Sequence, residues 1–172
     1  MTTKLFFDRL AKSEENVVQI FIDLLTSNNI DYCLVGGLAV NSYVDPVVSL
    51  DMDLIVAASD IDKLKEITES HFSLKGFEHS LNLKSPKSNL RIQIQTDPRY
   101  QSFIKRANFR EVMGYQMKVA ALEDVLQGKV WAYLDESRRK SKRQKDLADI
   151  FRLVEAYPEL TTLLPKSIKT LL

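Results

Sequence analysis

The sequence predicts an α+β fold, a small mixed β-sheet flanked by helices with a helical C-terminal part. Three observations carry this. Two short β-prone runs, Tyr32-Cys33-Leu34-Val35 and residues 52–56, each lead into signals for a helix start. Residues 72–95 alternate between apolar and polar, and from residue 121 onward apolar side chains recur at helical spacing. Residues 1–120 are the expected sheet-bearing core, with 121–172 as helices packed on it to make one compact domain.

In chain order, residues 13–28 read as a helix. Ser13 is its expected cap, Glu14 and Glu15 suit its first turn, and Val17, Ile20, Phe21, Leu24 and Leu25 form one apolar face. Tyr32 to Val35 is a strand that runs into Gly36-Gly37 and then Leu38-Ala39-Val40, a first helical turn. After the strand at 52–56, Ser59-Asp60-Ile61-Asp62 has the form of a capping box for a helix reaching about Ser70. Ile92 and Ile94 share one face of a strand and Arg91, Gln93 and Gln95 the other, with a hairpin expected over 85–89. A last strand is expected over 115–119, followed by helices over 121–134, 141–156 and 159–171.

Composition narrows the class. Lys+Arg 24 against Asp+Glu 23 leaves a net charge of +1, so any nucleic-acid contact must come from local clustering and a uniformly basic, histone-like role is disfavoured. Cys33 is the single cysteine, which rules out an internal disulfide and a Cys-based zinc site and fits a reducing cytosol. No apolar run approaches the ~18 residues of a membrane span, and the start lacks the apolar core of a signal peptide. A cytoplasmic protein with no membrane partner is expected.

Chemistry concentrates in two neighbouring segments. On a strand, residues two apart point the same way about 7 Å apart, so Asp51 and Asp53 project from one face while Met52 and Leu54 face the other. Two such carboxylates suit Mg2+ or Mn2+, which is usually held by one or two carboxylates together with substrate phosphates. Gly36 and Gly37 let the backbone approach a phosphate at a helix start. Separately these features also fit a tight turn and an exposed strand end; in this order they favour a nucleotide site. Lys129 is unusual by periodicity, because it falls in phase with the stripe of Leu122, Val125, Leu126 and Tyr133. An inward lysine has an anionic partner or snorkels past the core edge. Asp146, and more weakly Asp149, are candidates for that partner, although Asp146 also suits a helix dipole in a first turn.

These residues resemble the DNA polymerase β-type nucleotidyltransferase superfamily, and within it the AbiEii-like abortive-infection toxins and related small bacterial nucleotidyltransferases. The resemblance covers about residues 30–155. It rests on Gly36-Gly37-Leu38-Ala39-Val40, on Ser49-Leu50-Asp51-Met52-Asp53, on the helix from Leu122 to Lys129, and on Lys145-Asp146-Leu147-Ala148-Asp149-Ile150. It implies Mg2+-dependent transfer of a nucleoside monophosphate from an NTP to a hydroxyl acceptor, either RNA such as tRNA or a protein side chain. By the same resemblance Asp51 and Asp53 would hold the metal, Gly36, Gly37 and Ser49 the nucleotide, and Lys129 the developing phosphate charge. Asp146 would orient Lys129 or act as a third acid. A cognate antitoxin or a phage-defence role is also implied.

Two departures count against fast chemistry. Many relatives have a third carboxylate where this chain has Gln93, which cannot be a general base but can hydrogen-bond a hydroxyl or coordinate weakly. Asp97 shares its parity but lies past the strand. An arginine that relatives carry between glycines and acids is absent from residues 44–48. The alternative is therefore a catalytically impaired nucleotide- or RNA-binding module. The basic run Arg138 to Lys145 suits either RNA phosphates or a solvated helix start, and His71, His79 and Cys33 carry no metal or nucleophile pattern.

Overall fold

Tyr32–Val35 (β1) is buried along its whole length in the computed structural model, which describes residues 2–172. Four consecutive apolar residues suit a central strand covered on both faces. The other strands are Asp51–Val56 (β2), Ser73–Phe77 (β3), Ser80–Lys84 (β4), Arg91–Gln95 (β5), Asn108–Val112 (β6) and Tyr115–Val119 (β7). They form one seven-stranded sheet in the order β3-β4-β5-β2-β1-β7-β6. The sheet is mixed, because β1 pairs with β7 and β2 with β5 in parallel while every other pairing is antiparallel. The α+β expectation holds.

Cross-strand register gives the sheet two different faces. Leu34, Leu54, Ile94 and Leu81 are paired in one row, and Met52, Ile92 and Leu83 in the next; all are buried. One residue along, the row is Asp53, Gln93, Asn82 and Lys75. The period of two therefore sends hydrophobic residues to the core and leaves polar ones on the face that carries the carboxylates.

The helices are Thr3–Leu10 (α1), Val17–Ser27 (α2), Gly36–Val40 (α3), Ile61–Thr68 (α4), Leu122–Leu134 (α5), Lys140–Ala156 (α6) and Lys166–Lys169 (α7). α2 packs against α4 and β7, whereas α5 and α6 pack against each other and against α3. The Tyr43 hydroxyl beyond α3 donates to the Ala120 carbonyl at 2.7 Å, tying that segment to the start of α5. Among the described residues no helix is long and apolar enough to cross a membrane.

Several boundaries differ from expectation. The cap of α2 is Asn16, whose Oδ1 accepts from Gln19 N at 3.3 Å; Ser13 is engaged by Ser88 Oγ at 2.8 Å, and Glu14 and Glu15 precede the helix. Ala58–Asp60 is a 3₁₀ turn, and Asp60 makes no side-chain cap bond to α4. The helix expected over 159–171 is divided into a 3₁₀ segment, Pro158–Leu163, and the short α7. Pro165 separates them, because proline cannot donate the backbone bond that a continuous helix needs. α1 and β6 are additional to the expected elements. α1 buries only Phe7, and β6 is an edge strand whose Phe109 is 70% exposed.

α1 is fixed by what it covers. Tyr115 donates its hydroxyl to Asp8 Oδ1 at 2.5 Å, and Lys4 lies over the Tyr115 ring. The β6–β7 hairpin turns on Met113 and Gly114, both at positive φ, as two-residue hairpin loops require. A Cβ at Gly114 would approach Lys4 N to 2.8 Å. Gly114→Ala is therefore expected to lower stability by about 1–3 kcal/mol, read from urea denaturation. Gly76→Ala, where nothing lies within 4 Å, is the control and leaves the midpoint unchanged or raised.

Candidate active site

Asp51 and Asp53 project from the same face of β2, each partly exposed, while Met52 and Leu54 between and beyond them are fully buried. Asp53 is in register with Val35, so the chain leaving β1 turns directly over its carboxylate. That turn is Gly36, at φ +71°, and a Cβ there would run into the Asp53 carboxylate. Gly37 is different: a Cβ would meet only Ser49 Oγ, at an ordinary 3.6 Å. The two glycines expected to serve one purpose thus separate into one that clears space for a carboxylate and one that borders the open cleft beside Ser49. The Ser49 hydroxyl accepts from Asp51 N at 3.4 Å, which helps fix the start of β2.

Both oxygens of Asp51 meet cations: Oδ1 accepts from Arg91 Nε at 2.5 Å and Oδ2 from Lys142 Nζ at 3.2 Å. Among the described residues Asp53 has no direct ion pair. Burial pushes its carboxyl up to about 6; Lys129 pulls against that, Asp51 adds to it, and Arg138 and Lys142 pull it down more weakly. Gln93 is aligned with Asp53 on the parallel neighbour β5. Asp97 instead accepts from Arg99 N at 2.9 Å and pairs with the Arg99 side chain.

Lys129 faces inward, 8% exposed, and contacts Asp146 Oδ1 at 2.9 Å and Asp149 Oδ2 at 2.8 Å. Burial alone would lower its pKa, but Asp149 and Asp146 more than offset this and raise it, so the ammonium stays charged. Arg138 adds a bond to Asp146 Oδ2 at 2.7 Å and Arg152 one to Asp149 Oδ1 at 2.8 Å. Five charges of alternating sign therefore run from Arg138 through Asp146, Lys129 and Asp149 to Arg152. α6 begins at Lys140, so Asp146 lies in its second turn, where a lysine partner and not the helix dipole explains it.

Two cavities of about 200 and 210 Å³ meet at this point and share Asp51, Asp53, Lys129, Arg138 and Lys142. One continues to Gly37, Ser49, Lys145 and Arg152, the other to Gly36, Gln93, Gln95 and Tyr100. Of the residues singled out from the sequence, Gly36, Gly37, Ser49, Asp51, Asp53, Gln93 and Lys129 all border these cavities. Asp146, 2% exposed, lies behind Lys129 and borders neither.

Sequence reasoning missed Arg152. Its guanidinium donates to Asn41 Oδ1 at 3.1 Å and to the Asp45 carbonyl, while Asn41 also accepts from Val47 N at 3.0 Å and donates to Val47 O at 2.6 Å. A cation thus stands against the 41–48 loop although residues 44–48 contain no arginine. The only local signal was its i,i+3 spacing from Asp149. Arg138 and Lys142 were visible only as members of a basic run.

Gly36→Ala is expected to lose divalent-ion or nucleotide binding together with stability, because the new methyl group displaces the Asp53 carboxylate, whereas Gly37→Ala keeps the fold. Calorimetry and thermal melting distinguish them. Asp53 also gives stability a pH signature. Its native pKa lies above the unfolded value, so the native state binds more protons between about pH 4 and 6 and its contribution to stability falls as pH rises through that window. Asp53→Asn should therefore stabilise the free protein at pH 7, by up to about 3 kcal/mol, with the gain vanishing below pH 4. Denaturant titrations across pH measure this.

No known family profile matches the sequence, and no curated protein matches it. Solved structures do match its fold. ANT(2'')-Ia, crystallised with adenylyl-2''-tobramycin, superposes with a TM-score of 0.63 at 13% identity, covering 86% of this chain and 92% of that one. The lincosamide antibiotic adenylyltransferase LnuA, bound to lincomycin, gives 0.56 at 12% identity over 83% of this chain and 99% of its own. A putative nucleotidyltransferase from Thermotoga maritima gives 0.53 at 17% identity, over 67% of this chain and 81% of that one. Identities this low speak to architecture alone, and in architecture the chain has the nucleotidyltransferase fold.

Proposed function

We propose that this chain is a Mg2+-dependent nucleotidyltransferase that moves a nucleoside monophosphate from an NTP to a hydroxyl acceptor, releasing pyrophosphate. The observation that carries the reading is the convergence of Asp51 and Asp53 with Lys129, Arg138 and Lys142 where two cavities meet. Carboxylates for a metal and cations for phosphate are the two charge sets that phosphoryl-type transfer requires, since its catalysis is mainly positioning and electrostatic stabilisation.

The donor set fits the metal. Among the described residues no cluster of three or more His, Cys, Asp or Glu side chains is arranged to hold an ion, and Asp51 with Asp53 is the number of carboxylates that Mg2+ commonly takes from protein when phosphates complete its shell. Asp53 lies on the same strand face as Asp51 with no ion pair among the described residues, so its oxygens are open to a divalent ion between the two carboxylates. Mg2+ bound there would neutralise phosphate charge and polarise the α-phosphate.

The chain's own residues do the rest. Gly37, Ser49, Lys145 and Arg152 border the lobe that receives the triphosphate, and Lys129 meets charge developing on the transferred group. Asp146, behind Lys129 and outside both cavities, positions it, and Asp149 does the same from the wall of the first cavity. The acceptor oxygen attacks the α-phosphorus, the bond to pyrophosphate breaks, and the hydroxyl proton passes to a carboxylate oxygen. Asp53, in register with Gln93 and without an ion pair among the described residues, is the carboxylate assigned that proton, while Gln93 can only hydrogen-bond the hydroxyl.

The acceptor class is RNA such as tRNA, or a protein side chain, as the AbiEii-like blocks imply, and the antibiotic-bound neighbours add small-molecule hydroxyls to the range worth assaying. A toxin–antitoxin role rests on the same blocks and predicts co-purification with a neighbouring gene product. A second reading, a nucleotide-binding module with impaired turnover, is favoured by Gln93 standing beside Asp53.

Transfer of labelled NMP from each of the four NTPs onto RNA, protein and aminoglycoside or lincosamide acceptors is the test. Wild type should label an acceptor, and Asp53→Ala should reduce the rate by about 100-fold or more; equal behaviour of the two sinks the enzyme reading. Mg2+-dependent NTP binding without transfer, together with a gain of transfer in Gln93→Asp, selects the second reading.

A further inference from the structure

The polar face of the sheet continues well past the carboxylates. Because directly paired residues share a face, register lays out three rows running from β2 to the edge strand β3. The first is Asp51, Arg91, Lys84 and Ser73; the second Asp53, Gln93, Asn82 and Lys75; the third Ile55, Gln95, Ser80 and Phe77. Strands lie about 4.8 Å apart, so this surface extends roughly 15 Å from Asp53 to the edge. Among the described residues of these rows the only carboxylates are Asp51 and Asp53.

Three features of this surface have no role in the fold. Lys84 lies directly opposite Arg91, a like-charged pair that costs stability, and among the described residues neither Lys84 nor Lys75 has a carboxylate partner. Asn82, in the middle of the central row, has a buried Oδ1 with no hydrogen-bond partner. Phe77 is 52% exposed, with the Lys75 ammonium 5.2 Å from its ring centre. Unpaired cations, amides and an exposed ring are the elements with which sheet surfaces take single strands: cations for phosphates, the ring for a base, amides for base edges and hydroxyls.

We propose that the open face of β3, β4 and β5 is a track for a single-stranded nucleic acid, with Lys75 and Lys84 on its phosphates, Phe77 stacked on a base, and its 3′ end directed along the Asn82–Gln93 row toward Asp53. The delivery of that end to chemistry rests on the transferase reading; the binding of the strand does not. An acidic protein segment would satisfy the lysines but leave Phe77 and the amide row without a use, so the nucleic acid is favoured.

The test is fluorescence anisotropy of short labelled single-stranded RNA, single-stranded DNA and duplex probes with the full-length protein, over a range of salt. Wild type should bind the single strands more tightly than the duplex, with RNA against DNA separating the two sources of the same chemistry. Lys75→Glu/Lys84→Glu should lower the salt dependence by about 1.4, near 0.7 for each lost phosphate contact, and Phe77→Ala should weaken binding about tenfold. A melting temperature that is not lowered, since Lys84→Glu relieves the like-charged pairing with Arg91, and an unchanged Mg2+–NTP affinity show that the fold and nucleotide site are intact. Asp53→Ala should keep strand affinity while losing transfer, so failure of the transferase reading leaves this measurement decisive. The track is overturned if the variants bind like wild type, if duplex binds as well as single strands, or if a polyglutamate peptide binds and the strands do not.

Discussion

The salt bridge of Lys129 with Asp146 and Asp149 is the contact on which the arrangement of the cleft depends. It joins α5 to α6 in a nearly dry environment, and its ends, Arg138 and Arg152, reach the carboxylate site and the 41–48 loop respectively. Deleting one member of such a buried set leaves a charge without compensation, at a cost of about 3–5 kcal/mol. The same charges do a second task. Lys129 is the cation that most strongly opposes the effect of burial on Asp53, so the interaction that packs the C-terminal helices also tunes the site beneath them.

A local constraint complements it. β1 and β2 run antiparallel with Val35 opposite Asp53, and the chain then has to turn over that carboxylate. Only glycine tolerates both the left-handed conformation and the missing volume at position 36. The glycine pair is therefore coupled to the acid pair by sterics, independently of any phosphate. With Asp51 engaged by Arg91 and Lys142 and Asp53 dominated by burial, the two carboxylates also differ in character despite identical chemistry and parity.

Much of the fold was legible because its elements obey simple periods. Alternation at 91–95 placed Gln93 on the face of Asp53, and helical phase placed Lys129 indoors. What escaped were elements whose stability comes from elsewhere. α1 is held through Asp8 and Lys4 by Tyr115 and by the Gly114 turn, and β6 by pairing at an edge. Proline at 165 was visible, yet the run of apolar residues around it read as one helix because periodicity does not register a missing backbone donor.

Spacing along the chain marks which residues could do chemistry: Asp51 and Asp53 share a strand face by the period of two, Gly36 and Gly37 sit at a strand end, and Lys129 lies in an apolar stripe. Those are properties of a single element, written in spacing. Only the tertiary structure decided which charges meet across elements. It brought Arg152 to a loop over 100 residues away, matched Asp149 as closely as Asp146 to Lys129, and set Lys142 on Asp51. It also stretched a carboxylate-free polar face from Asp53 to Lys75. Such pairings depend on strand order and helix packing, which arise from the burial of the whole core and leave no mark in the spacing of the residues that finally touch.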